Sequence, residues 1–218
     1  MIVTIDGPAG AGKSTVARAL ARRLGYQYLD TGAMYRAVAL AALRRQLDFD
    51  DGPRMAELAR QLAIEVSGSR ISVDGEDVTE AVRGREVTAV THYAADNPQV
   101  RQHLVGLQRT IGAARDIVTE GRDQGTVVFP EAECKIYLTA SPAERARRRL
   151  LEIQQRGEAA TFEQVLADQQ RRDHKDSSRA VGPLLPAPDA IEVVTDALPI
   201  ETVVDRLESL VRGKRGPG

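Results

Sequence analysis

Eight residues near the start of the chain, Gly7-Pro8-Ala9-Gly10-Ala11-Gly12-Lys13-Ser14, fit the spacing G-x-x-x-x-G-K-S without a gap. Glycines let successive backbone N–H groups turn inward around phosphate oxygens. The start of a following helix adds partial positive charge. Lys13 is then set to reach the β- and γ-phosphates of a nucleoside triphosphate, Ser14 to offer its hydroxyl to Mg2+, and Thr15 to touch the α-phosphate. Gly7 to Thr15 is therefore the expected ATP site, and Ser14 the expected magnesium ligand. The loop does not say where the phosphoryl group goes. A guanine-reading Asn-Lys-x-Asp is missing from the sequence, which argues against a GTPase switch, and large ATP-driven machines need a longer chain.

Three further stretches could hold an acceptor. The first, Leu29-Asp30-Thr31-Gly32-Ala33-Met34-Tyr35-Arg36, brings Asp30, Thr31 and Arg36 to a strand end and helix start. An ordinary connection, with Thr31 as helix cap and Arg36 in solvent, is the competing reading. The second is Glu120-Gly121-Arg122-Asp123-Gln124-Gly125-Thr126. Charges at a sheet's carboxyl edge are costly unless paired or used; Arg122 can fork onto a phosphate or carboxylate, and Asp123 can accept from an amino group. A structural salt bridge is the alternative there. The third is 142–180, with eight Arg and one Lys against seven acids. Arg172, Asp176 and Arg179 recur at helical spacing. Arginines on a movable segment could neutralise a transferring phosphoryl group; a solvated helix with ion pairs is the alternative, above all for Arg145, Arg147 and Arg148. His92, His103 and His174 lack metal-ligand spacing, and Cys134 is read as core.

The elements that must position these residues follow from pattern and punctuation. Ile2 to Asp6 reads as a buried strand. A helix follows from about Lys13 to Leu24, with Val16, Ala17, Leu20, Ala21 and Leu24 on one face and Gly25 at its end. A strand is expected over 26–29, then helices from Ala33 to about Arg44, with Thr31 as a plausible cap, and from Pro53 to about Leu62. Ile64–Val66 and Ile71–Val73 read as a hairpin, and Asp74-Gly75 as a second turn. Residues 62–100 hold seven acids and three Arg, and are read as an insertion. Two helices are expected from Glu86 to Ala95 and from Pro98 to Ala114. Strands over 116–120, 134–139 and 191–195 follow, with helices opened by Ser141, by the capping box Thr161 to Gln164, and by Pro199. Residues 213–218 read as a frayed tail. Strands alternating with helices predict an α/β fold with a mostly parallel sheet, whose ligands lie beyond the carboxyl ends of the strands.

Composition narrows the classes. The chain has 218 residues, 42% hydrophobic and 28% charged, with 30 Lys and Arg against 31 Asp and Glu. That balance argues against charge-driven nucleic-acid binding. No apolar run is long enough for a membrane span, and the first residues do not read as a signal peptide. A single cysteine, Cys134, makes no intramolecular disulfide, and a reducing cytoplasm is the expected compartment.

The segments Ile5 to Ser14, Leu29 to Arg36, Gly121-Arg122-Asp123 with Gly125-Thr126-Val127-Val128-Phe129-Pro130, Arg172-Asp173 with Asp176, and Arg179-Ala180-Val181 with Pro183-Leu184 occur together and in order. In this the chain resembles the bacterial cytidylate kinases, nucleoside monophosphate kinases, from Met1 to about Val211. The phosphate loop is common to many kinases; the Gly-Arg-Asp-x-Gly-Thr-Val-Val-Phe-Pro run is far more specific. The resemblance implies ATP-dependent phosphorylation of CMP and dCMP with Mg2+. It implies a P-loop kinase core with a five-stranded parallel sheet (about 1–61, 101–141 and 181–212), a monophosphate-binding insertion with a small antiparallel sheet (about 62–100) and an Arg-rich helical lid (about 142–180), working as a monomer. It places Thr31, Thr91, Arg101 and Asp123 around the cytosine. Arg36, Arg122 and Arg179 would hold the acceptor phosphate, and Arg172 and Asp176 would lie at the sugar end. Lys13, Arg122, Arg172 and Arg179 would be the catalytic cations. Thr91 and Arg101 rest on the less distinctive stretch 88–101. Gln124 stands where many members would carry an apolar residue, which puts the local packing in question. Two other readings are a P-loop kinase for another small acceptor, such as UMP or shikimate, and a nucleotide-binding module without turnover.

Overall fold

The strand that leads into the phosphate loop, β1 (Ile2–Asp6), lies at the middle of a five-stranded sheet in the computed structural model, which describes residues 1–155 and 157–215. The other strands are β2 (Gln27–Asp30), β6 (Ile117–Gly121), β7 (Cys134–Thr139) and β8 (Ile191–Val194). Their order is β2-β6-β1-β7-β8, and every pairing is parallel. Helices cover both faces, so strands such as Ile117–Gly121 are buried along their whole length and read as apolar runs without alternation. Register brings Asp6 beside Gly121 and Asp30 beside Glu120. All the acidic strand ends seen in the sequence therefore meet at one edge.

On one face, α1 (Lys13–Leu24) packs Val16, Ala17, Leu20 and Ala21 against the sheet and against α8 (Ile200–Lys214). Cys134 is fully buried in that layer, as expected. The other face is covered by α2 (Thr31–Arg44), α3 (Gly52–Gln61), α4 (Arg85–Asp96) and α5 (Pro98–Ala113). Alanines 33, 37, 39, 41 and 42 of α2 are all buried, which lets neighbouring helices approach it closely. The expected hairpin forms from β3 (Ile64–Ser67) and β4 (Arg70–Val73), turned at Gly68 with φ +61°, and β5 (Glu76–Asp77) adds a third antiparallel strand. The sequence-predicted helices of the Arg-rich stretch are α6 (Pro142–Gln155) and α7 (Phe162–Ser177), packed on each other. The capping box at Thr161 and Gln164 is present with both of its bonds.

Two local expectations are corrected. Asp30, not Thr31, caps α2: its Oδ1 accepts from Ala33 N at 2.8 Å, while Thr31 is already helical. Asp30 is still extended at the strand end, and an ionised carboxylate is the stronger acceptor. The polar end expected to fray from 213 is helical to Lys214, and Arg215 pairs with Asp116 at 2.8 Å; residues 216–218 lie outside the described residues. No described helix is long and apolar enough to cross a membrane.

Candidate active site

The phosphate loop lies against the end of β7. Gly7 has φ +147°, and a Cβ there would sit 1.9 Å from the backbone oxygen of Leu138. Only glycine fits, on both counts. Gly12, at φ +91°, turns the chain into α1. Lys13 folds back, its Nζ donating to Pro8 O at 2.8 Å. Burial, reinforced by Arg122, lowers its pKa to about 7. Ala11 is buried, and its oxygen accepts from Arg148.

A cleft of about 300 Å3 opens beside the loop. Ala9, Gly10, Gly12, Lys13, Ser14 and Thr15 line one end of it; Gly7, Pro8 and Ala11 lie behind and shape the turn. All nine residues expected around the acceptor line the same cleft: Thr31, Arg36, Thr91, Arg101, Arg122, Asp123, Arg172, Asp176 and Arg179. They come from α2, α4, α5, the end of β6, α7 and the loop after it.

Their charges are interlocked. Asp176 takes Arg122 Nε on Oδ2 at 2.7 Å and Arg179 on Oδ1 at 2.8 Å. Burial would raise this carboxyl, but Arg122, Arg179 and Arg172 outweigh it and hold it below the usual range. Arg179 also reaches Asp96 at 2.7 Å. Arg36 lies 3.3 Å from both oxygens of Asp30. Arg172 lines the cleft, and burial and Arg122 lower it to about 10. Asp123 and Arg101 pair with each other, both buried, and the Arg101 guanidinium lies 5.6 Å over the Tyr35 ring. Burial pushes the Asp123 carboxyl up, against the pull of Arg101 and Arg179.

The turn carrying Arg122 and Asp123 is held from beneath. Asp6 accepts from the backbone N–H of Gln124 and Gly125 at 2.9 and 2.8 Å. Burial nevertheless raises Asp6 to about 6. Residues Gln124–Val128 form a single π-helical turn that the sequence reading did not anticipate. Gln124 itself is buried in a polar network, accepting from Thr119 at 2.9 Å and donating to Gln108 at 3.3 Å. Its departure from an apolar residue is thus matched by partners.

Four further residues complete the site. Glu120 accepts from Ser14 Oγ at 2.6 Å and from the Tyr28 hydroxyl at 3.3 Å. Asp30 is buried beside it and raised by burial and by the Glu120 charge. Tyr35 and Glu152 also line the cleft. Asp30 and Glu120 were visible as acidic strand ends; nothing in the spacing marked Tyr35 or Glu152. Of the crowded α6 arginines, Arg145 is buried and pairs with Asp173 at 2.7 Å, Arg148 reaches Thr195, and Arg147 stays exposed on Glu144.

A hydroxyl and two crowded carboxylates, those of Ser14, Glu120 and Asp30, form a hard-oxygen donor set that suits Mg2+ brought by a polyphosphate, and Lys13 beside them suits the phosphates themselves. Six cationic side chains line one cleft (Lys13, Arg36, Arg101, Arg122, Arg172 and Arg179), and the five other than Arg101 suit two phosphorylated ligands meeting end to end.

The comparisons agree in kind. A sequence model of the family described as "Cytidylate kinase" matches residues 3–213. The chain is 50% identical over 215 residues to a cytidylate kinase of Desulfitobacterium hafniense, covering 97% of this chain and 93% of that one. It is 48% identical over 212 residues to one of Rhodopirellula baltica, with the same coverage. A gluconokinase structure from Sinorhizobium meliloti shares the fold alone, at 13% identity and TM-score 0.50 over 98% of this chain and 93% of that one.

Proposed function

The chain belongs to the cytidylate kinase family and phosphorylates CMP with ATP, and from that premise we propose that Mg2+ assists the transfer, that dCMP is a second acceptor, and that the cleft residues divide the work as follows. Gly7 to Thr15 cradle the triphosphate, with Lys13 along the β- and γ-phosphates. Ser14 holds the cation, with Glu120 and Asp30 behind it. Bound there, Mg2+ neutralises charge on the phosphate oxygens.

Arg36, Arg122 and Arg179 hold the acceptor phosphate, and Arg172 and Asp176 lie at the sugar end, with Arg172 one of the catalytic cations. An oxygen of the CMP phosphate attacks the γ-phosphorus, and the bond to the β,γ-bridging oxygen breaks. The attacking oxygen is already anionic, so no general base is needed. Positioning and charge neutralisation carry the reaction. The segment 62–100 acts as the monophosphate-binding insertion and 142–180 as a lid, in a monomeric cytoplasmic enzyme of pyrimidine metabolism.

The observation that carries the acceptor reading is the buried Asp123–Arg101 pair lining the same cleft as the phosphate loop. A carboxylate accepts from the exocyclic amino group of cytosine; uracil presents an oxygen there, acceptor against acceptor. Two hydroxyls support this. Thr31 donates its proton to Glu120 O at 2.7 Å and Thr91 to Val87 O at 2.7 Å. Both then face the cleft as acceptors, suited to the N–H groups of an aminopyrimidine. The test is ADP release with Mg·ATP and CMP, dCMP, UMP, AMP or GMP. Turnover with CMP and dCMP and little with UMP is expected. Strong UMP turnover would discard Asp123 as the base reader, and loss of turnover on chelating the metal checks the cation.

A further inference from the structure

Asp96 is the last residue of α4, where the helix dipole disfavours a negative charge, and the last turn of α4 holds no basic residue. Among the described residues its carboxylate has one partner from outside the helix, accepting from Arg179 Nε at 2.7 Å across 83 residues of sequence. Asp176 takes NH2 of the same guanidinium at 2.8 Å. Asp96 therefore takes Nε, on the side edge of the Arg179 plane, while Asp176 uses NH2, which carries a second hydrogen. NH1 and the second hydrogen of NH2 point away from the Nε that Asp96 holds and can fork onto an incoming phosphate.

The base on which Asp96 stands is rigid. The next residue, Asn97, caps α5 by accepting from the backbone of Gln99 and Val100 at 3.0 and 3.1 Å. It also ties the junction to α3, donating to Gly52 O at 2.9 Å. On the other side Ala95 O accepts from Arg101 NH1 at 3.4 Å. One short junction thus touches two of the arginines that line the cleft, Arg179 and Arg101.

We propose that Asp96 is a positioning residue for the acceptor phosphate: it fixes the guanidinium plane of Arg179, and through it joins the α4–α5 junction to the segment after α7 when the acceptor is bound. This rests on the reading of Arg179 as an acceptor-phosphate ligand. The acid need not be displaced by the phosphate, because it holds the edge that the phosphate does not use. Removing its charge therefore weakens acceptor binding rather than relieving a competitor.

The experiment compares wild type, Asp96→Asn and Asp96→Glu by steady-state kinetics, with CMP and ATP varied separately. Asp96→Asn should raise KM for CMP about 3- to 10-fold, the range between an exposed ion pair and a charge-assisted bond. The kcat and KM for ATP should stay within about twofold of wild type. Asp96→Glu, which keeps the charge, should recover most of the loss. In an Arg179→Ala background the asparagine should add almost nothing, because the group it orients is gone. An unchanged or lower KM for CMP, an equal rise in KM for ATP, no recovery by glutamate, or the same penalty without Arg179 would each overturn the proposal. Wild-type protein that turns over no CMP would overturn the acceptor reading itself and the proposal with it, a result distinct from all of these.

Discussion

Arg122, at the end of β6, donates from Nε to Oδ2 of Asp176 on α7 at 2.7 Å, although 54 residues separate them. Asp176 holds Arg179 with its other oxygen. One carboxylate therefore ties the cleft-lining turn after β6 to the helix proposed as lid. Both its oxygens are committed to arginines proposed to hold the acceptor phosphate, so the same contact orients these two cations and joins α7 to the core.

Asp176→Asn should disturb both tasks. The side chain is only 8% exposed, so its loss leaves two guanidinium groups short of counter-charge, at a cost of about 3 kcal/mol for a buried pair broken from one side. Much of that cost should appear as local opening. Hydrogen exchange of α7 should accelerate well before that of β1 and β6, and kcat/KM for CMP should fall by about 100-fold.

Asp123→Asn replaces an acceptor-only group with an amide that can also donate. The preference for CMP over UMP in kcat/KM should collapse by about 10- to 100-fold, the discrimination of one base-edge contact. Part of the change should come from a gain on UMP. Competition kinetics with both monophosphates in one vessel read this ratio directly, and an unchanged ratio would remove Asp123 from base recognition.

Lys13 gives the pH dependence. Burial takes its pKa from 10.5 to about 7, and a bound triphosphate restores the charge, so binding takes up a proton above pH 7. ATP affinity should fall as pH rises from 7 to 9, by up to about tenfold per unit. Lys13→Arg, charged throughout, should show no such slope from this position. Calorimetry in buffers of different ionisation enthalpy measures the proton directly. In the empty protein the unfolded chain binds the extra proton between these two values. The lysine's contribution to stability therefore rises with pH across that window.

Gln124→Met puts an apolar side chain into a buried polar network. It strands the Thr119 hydroxyl and Gln108 Oε1, which Gln124 bonds at 2.9 and 3.3 Å. The single change should destabilise by about 2 kcal/mol in urea unfolding. Adding Gln108→Leu should return part of the loss, because an apolar replacement of both partners leaves fewer groups unsatisfied. If the double variant is no better than the single, the network is not what holds Gln124.

Local chemistry was legible in the amino-acid sequence. The phosphate loop, the alternation of strands and helices, the Gly68 turn and the Thr161–Gln164 box are each set by residues within a few positions of one another, where backbone geometry and hydrogen bonding act without help. The residues expected at the acceptor, drawn from the run Gly121 to Pro130, its companion motifs and the less distinctive stretch 88–101, line one cleft. The Thr31 cap was misread because two oxygen-bearing residues stood side by side and only the strand end decided between them. What the tertiary structure decided is which charge answers which. Ser14 meets Glu120 across 106 residues, Arg179 meets Asp96 across 83, and Asp6 braces the turn at Gln124 across 118. No periodicity or spacing encodes such pairs. They follow from strand order: β6 and β7 flank β1 only once the sheet has closed, and burial then makes each unpaired charge at its edge costly enough to select a partner.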